Sequence, residues 1–273
     1  MDTISILGCG WLGLPLAEHL IKSGYIVKGS TRTKNDISYL EAKGILASLL
    51  ILNPEIQGSD LNSFFDSDVL VINFPPERRD DIVKYHELQM ISLIERIVNS
   101  SIEKVIFISS TSVYPDVNCV VTETETQAPS KTSGQALLKV EQLLKSCNQF
   151  DTTILRFAGL IGYERNPGRF LAGKKEVING QAPVNLIHRD DCINIIHQLL
   201  RKKLWSETFN ACADLHPTRK DYYINAANKL GLTPPSFVET NNYNYKIVSN
   251  EKLKKQLNYI FKYSDPFEML DDV

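Results

Sequence analysis

The sequence has no surplus of either charge, no long apolar run and no paired cysteines. Its 30 Lys and Arg against 32 Asp and Glu leave a net charge of −2. That balance argues against a nucleic acid or an anionic membrane surface as partner. No apolar run reaches the roughly 20 residues that a bilayer span needs. The opening MDTISILGCG has an acid where a secretion signal has cations, and no signal-like apolar stretch follows. A cytoplasmic location is the expectation. The 5 cysteines (Cys9, Cys119, Cys147, Cys192 and Cys212) form no C-x-x-C pair, and the 5 histidines show no H-x-x-x-H spacing. Neither a disulfide framework nor a metal site is expected.

What is present alternates between two periods. Short apolar runs at residues 3–7, 26–30, 45–52, 68–76, 104–110 and 152–157 predict six strands. Helical patterns at 12–22, 35–44, 81–100 and 133–146 lie between them. Strands apolar on both faces and joined by helices of crossover length predict a doubly wound, Rossmann-like α/β fold with a parallel sheet. After Phe157 the rhythm loosens into a loop rich in Gly, Pro and Arg, then a helix at 188–202, a short strand at 207–212 and two further helices. The expected division is a dinucleotide-binding core over 1–160, completed by 186–212, with a small substrate lobe from 161–185 and 213–273.

The run GCGWLG follows the first strand and opens a helix. Gly8 permits the tight turn, Gly10 lets backbone approach a pyrophosphate, and Gly13 allows helix and strand to pack closely. The helix N-terminus adds N–H donors and the positive dipole end. The second strand ends in GSTRTK, with Ser30, Thr31 and Arg32 and no acid before Asp36. A carboxylate there would accept from a ribose 2′-OH, whereas hydroxyls and a guanidinium suit a 2′-phosphate. NADP(H) is therefore expected over NAD(H). Trp11, Leu12, Asn73, Phe74, Pro75 and Ser109 complete the candidate cofactor set.

These motifs, with ISSTSVYP after the fifth strand, LRFAGLIG after the sixth, and VNLIHRDDC, resemble the extended short-chain dehydrogenase/reductases of the NAD(P)-dependent epimerase/dehydratase superfamily. GCGWLGLPLA, SGQALLKVE and HPTR are most similar to its YeeZ-type bacterial branch. The G-x-G spacing also suits hydroxyacid dehydrogenases, but those need a long helical C-terminal domain that the residues after Leu160 do not predict. The resemblance implies an oxidoreductase or epimerase acting on a polar or phosphorylated small molecule such as a nucleotide sugar. It also implies dimerisation through core helices.

The family's chemistry rests on a Tyr-x-x-x-Lys pair with a glutamate four residues after the lysine. Aligning Glu141 with that glutamate puts Leu137 at the lysine position and Ser133 at the tyrosine position. Lys131 and Lys139 each stand two residues away, about 200° round a helix. The mechanism is then atypical, or the chain is a catalytically silent dinucleotide-binding sensor or regulator. Ser110 matches the family's hydroxyl that hydrogen-bonds substrate. Tyr114 is the candidate substitute acid, with Tyr163 and His188 as alternatives. Thr111, Arg165, Arg169 and His188 are the candidate substrate residues, although a loop of solvated charges is the plainer account of the two arginines.

Overall fold

The computed structural model describes residues 2–240 and 242–271. The chain begins β1 (Thr3–Leu7), α1 (Gly13–Lys22), β2 (Ile26–Thr31), α2 (Ile37–Glu41), β3 (Leu46–Asn53), β4 (Glu55–Gly58) and α3 (Leu61–Phe65). It continues with β5 (Val69–Ile72), α4 (Ile82–Val98), β6 (Lys104–Ser110), β7 (Cys119–Val121), α5 (Thr132–Ser146) and β8 (Asp151–Phe157). Then follow β9 (Gly159–Ile161), α6 (Gly168–Leu171), β10 (Leu186–His188), α7 (Arg189–Lys202) and β11 (Thr208–Ala211). The last elements are α8 (Arg219–Lys229), β12 (Lys246–Val248) and α9 (Glu251–Leu257).

Eight strands form one sheet in the order β11-β8-β6-β5-β1-β2-β3-β4. β1 pairs in parallel with β2 and β5, β2 with β3, and β5 with β6. The order therefore reverses at β1, the arrangement that places ligands outside the carboxyl ends of the strands. All of β5 is buried, as are Ile4, Ile6, Val105, Ile106 and Phe107. Polar residues inside this layer are satisfied locally. Ser5 donates to the Phe64 carbonyl at 2.6 Å, and Lys28 caps α3 by donating to the carbonyls of Ser63 and Asp66.

The sheet departs from a purely parallel one at its edge, where β4 runs antiparallel to β3. β4 is short and mostly exposed, so it has no apolar alternation to announce it. The strand expected at 68–76 stops at Ile72, and Asn73 begins the loop.

Two compact units divide the chain. One comprises residues 1–113, 130–156 and 196–208, and the other 114–129, 157–195 and 209–273. In the second unit β9 pairs with β10 and β7 with β12, both in parallel. Its core gathers Ile161, Leu186, Tyr222, Ala226, Tyr263 and Met269. Asp191, wholly buried, accepts from Tyr259 Oη at 2.7 Å and from the backbone N–H groups of Lys262 at 2.8 Å and Tyr263 at 3.1 Å. One carboxylate thus fastens the segment after α9.

Candidate functional site

The glycine loop lies at the carboxyl ends of β1, β2 and β5 and is held from both sides. Gly8 has φ of +104°, and a Cβ there would lie 2.4 Å from the Asn73 carbonyl oxygen. The Asn73 amide donates to the Gly8 carbonyl at 3.0 Å, and Gly8 N–H donates to Ser30 Oγ at 2.9 Å. Cys9 N–H adds a bond to the Ser30 carbonyl at 2.9 Å. Gly13 packs so closely that a Cβ would sit 2.1 Å from the Gly8 oxygen. Gly10 is the contrast: a Cβ on it would meet nothing within 4 Å. The loop is rigid where it touches protein and open at Gly10, where a pyrophosphate would approach the start of α1.

The other candidates of this first unit fall into place around it. Ser30 is buried and spends its acceptor on the glycine loop. Thr31 donates to Asp36 Oδ2 at 3.2 Å. Arg32 is exposed, with Nη1 3.7 Å from Glu77. Trp11, Phe74 and Asn73 are half-buried, Leu12 is buried and Pro75 is exposed. Burial pushes the Cys9 thiol, inside the loop, up to about 12, so it stays protonated.

At the end of β6, Ser109 is buried and donates to Glu141 Oε1 at 2.6 Å. Arg156 grips the same carboxylate, with Nε 3.0 Å and 3.2 Å from its two oxygens and Nη2 2.5 Å from Oε2. Ser110 is half-buried and accepts from Ser112 N–H at 3.1 Å. Thr111 is buried at the start of a single 3₁₀ turn, Thr111–Val113. On α5, Ser133 is exposed and Leu137 is buried. Lys139 lies 3.5 Å from Glu87 of α4, and Lys131 is exposed at the helix start.

The second unit holds the remaining candidates. Tyr114 is buried and its hydroxyl donates to Asn210 Oδ1 at 2.6 Å, while Asn210 N–H donates to Glu123 at 2.8 Å. Tyr163 donates to Asp190 Oδ1 at 2.9 Å, under the Arg189 guanidinium 3.9 Å from its ring centre. Burial first, and then the Asp190 carboxylate, raise that phenol above its ordinary pKa. His188 is wholly buried, with ring centres 5.4 Å from Tyr163 and 4.2 Å from Tyr263. Its Nδ1 accepts from Asp190 N–H at 3.2 Å, and a Cβ on Gly162 would collide with its Nε2 at 2.3 Å. Arg165 and Arg169 are exposed.

The model of the NAD dependent epimerase/dehydratase family matches residues 4–212. The chain belongs to this family. This epimerase/dehydratase chain is 36% identical over 272 residues to Protein YeeZ of Escherichia coli strain K12, covering 98% of this chain and 99% of that one. Its fold is shared with the UDP-N-acetylglucosamine 4-epimerase of Bacillus cereus at 19% identity, with a TM-score of 0.79 over 99% of this chain and 94% of that one. The UDP-glucuronic acid 4-epimerase of Bacillus cereus, solved in complex with NAD, superposes with a TM-score of 0.80 at 19% identity, over the same shares of the two chains.

Measured on its own residues, this epimerase/dehydratase chain fits a dinucleotide. It has a positive-φ turn that only glycine adopts easily and a backbone cradle open at Gly10. Sequence reasoning missed Arg156, which holds Glu141 beside Ser109. A lone arginine in the otherwise apolar run TILRF was the available signal, since a fully buried arginine needs a paired carboxylate. Among the described residues no group of three or more His, Cys, Asp or Glu could hold a metal ion, and no helix is long and apolar enough to cross a membrane.

Proposed function

We propose that the chain is a dinucleotide-dependent enzyme that uses NADP(H) in preference to NAD(H) and acts on a nucleotide sugar or similar phosphorylated small molecule. The single observation that carries this is the glycine loop, fixed by Ser30 and Asn73 and open only at Gly10. Family membership and the NAD bound to the Bacillus cereus epimerase support the cofactor class. The UDP-sugar names of both Bacillus cereus proteins support the substrate class. The preference for NADP(H) rests on the exposed Arg32 guanidinium and the absence of an acid between Ser30 and Asn35.

When bound, the dinucleotide supplies hydride exchange. The protein's own part is to place Ser110 as hydrogen-bond donor to a substrate oxygen, with Ser109 locked beside it on Glu141. Arg165 and Arg169 offer guanidinium groups to a phosphate or carboxylate. With serine and leucine in place of the usual phenol and ammonium, proton transfer lacks a tuned acid. Loss of such a group forfeits about 10²–10⁴ in rate.

A second reading, a silent dinucleotide sensor, is favoured by one specific observation. The phenols of Tyr114 and Tyr163 are both already donating, to Asn210 and Asp190. Calorimetric titration with NADPH and NADH tests the cofactor, followed by nucleotide sugars with absorbance of the reduced nicotinamide as readout. Tighter NADPH binding, weakened selectively by Arg32→Ala, is the expected result. Absence of binding by either nucleotide at sub-millimolar concentration sinks the proposal. Different affinities for NADPH and NADP⁺ without turnover of any sugar would favour the sensor.

A further inference from the structure

His86, on α4, is wholly buried, and its neighbours fix its tautomer. The Leu52 carbonyl can only accept, so the Gln89 side-chain atom 2.9 Å from it is the amide nitrogen. That turns the Gln89 oxygen toward His86 Nδ1, 3.0 Å away, and an amide oxygen also only accepts. Nδ1 therefore carries the proton, and Nε2 presents a bare lone pair. Burial holds the imidazole below its ordinary pKa, against smaller opposing effects of Gln89 and Glu77, so it is neutral near pH 7.

Nε2 is shielded from solvent and has no hydrogen-bond partner. A buried acceptor left in this way destabilises the fold and calls for a reason. Its position supplies one. The ring of Phe74 meets the imidazole edge to face, with centres 5.2 Å apart. Phe74 directly follows Asn73, which holds the Gly8 carbonyl, and a Cβ on Gly8 would lie 4.0 Å from the Phe74 nitrogen. Phe74 thus touches the imidazole with its half-buried ring while its backbone borders the glycine loop, which brings His86 within one residue of that loop. In a dinucleotide the groups flanking the pyrophosphate are two riboses, each carrying hydroxyl donors.

We propose that His86 Nε2 accepts a hydrogen bond from a ribose hydroxyl of the bound dinucleotide, admitted when the Phe74 ring swings aside. This rests on the cofactor reading above. It gives a physical reason for an acceptor that is left without a partner inside the fold.

The test compares wild type with His86→Phe by calorimetric titration with NADPH, NADH and ADP-ribose, and by thermal unfolding without ligand. The expected result is about tenfold weaker binding of all three ligands, with a melting temperature a few degrees lower because the buried Gln89 oxygen loses its Nδ1–H donor. Unchanged affinities overturn the proposal. A loss confined to NADPH and NADH, sparing ADP-ribose, overturns it too, because the partner would then be the nicotinamide. If wild type binds none of the three, the cofactor reading itself fails, a result distinct from a variant that matches a binding wild type. Should the variant not fold, ¹⁵N spectra of wild-type imidazoles decide. They should show the Nδ1–H tautomer at His86 and a shift of Nε2 alone on saturation with NADPH. The opposite tautomer, or an unmoved Nε2, overturns the inference.

Discussion

Replacing Glu141 by leucine should destabilise the first unit by about 3–5 kcal/mol, the usual cost of removing one partner of a buried ion pair. The side chains of Arg156 and Glu141 are only 5% and 2% exposed, so water cannot stand in for the missing carboxylate. Arg156 would lose the oxygens it grips through Nε and Nη2, and Ser109 would lose the acceptor it reaches at 2.6 Å. At roughly 2–4 °C per kcal/mol for chains of this size, the melting temperature should fall by on the order of 10 °C. Glu141→Gln keeps an acceptor and the shape but drops the charge, and should lose less. The double variant Glu141→Leu with Arg156→Met should return to within about 1 kcal/mol of wild type, because apolar pairs of similar volume often equal a buried ion pair. Urea unfolding followed by tryptophan fluorescence suits the measurement, since Trp11 and Trp205 both belong to this unit. A cost below about 1 kcal/mol for Glu141→Leu, or a double variant no better than the single one, would refute the reasoning.

Gly10→Ala should leave stability within about 0.5 kcal/mol of wild type yet abolish NADPH binding, because its methyl group meets no protein atom and occupies the pyrophosphate approach. Gly13→Ala should fail in both assays, since its Cβ falls 2.1 Å from the Gly8 oxygen; equal behaviour of the two variants in unfolding and titration would contradict this. Gly162→Ala should cost more than about 2 kcal/mol in the second unit, combining φ of +116° with a Cβ 2.3 Å from His188 Nε2, and a neutral result in calorimetry would count against it. Acidification should also weaken the fold. His19, His86, His197 and His216 all have pKa values lowered, by burial first. Groups of that kind bind protons more readily unfolded, so their contribution is complete above about pH 7 and is lost as pH falls through about 6.5. Asp191, raised by burial, opposes this as one group against four. The urea midpoint should be lower at pH 5.5 than at pH 7.5, and a higher one contradicts the sign.

The parallel strands were legible because a strand covered on both faces must be apolar throughout, as β5 is. The short ladders β4, β7, β9, β10 and β12 were not. Three or four residues carry too little pattern, and Val120 of β7 even points its side chain to solvent. The glycine loop could be read from its spacing, since its constraints are local. The jobs of Ser30 and Glu141 could not, because each is defined by a partner 15 or more residues away. Ser30 reads as a phosphate donor from its place at the end of β2; its oxygen also accepts from Gly8 N–H, a second job that the sequence does not announce. The tautomer of His86 needed two elements at once, β3 and α4.

The fastening of residues 259–263 to Asp191 has a consequence for synthesis. The second unit is built from three separated stretches of chain, and β7 finds its partner β12 only after more than 120 further residues have been made. Until the ribosome has delivered Tyr259, Lys262 and Tyr263, the Asp191 carboxylate has none of these three donors. The glycine-loop unit has all of its stretches once residue 208 is made, while the other unit still waits with strand edges unpaired. That interval is when a chaperone would matter most to this protein.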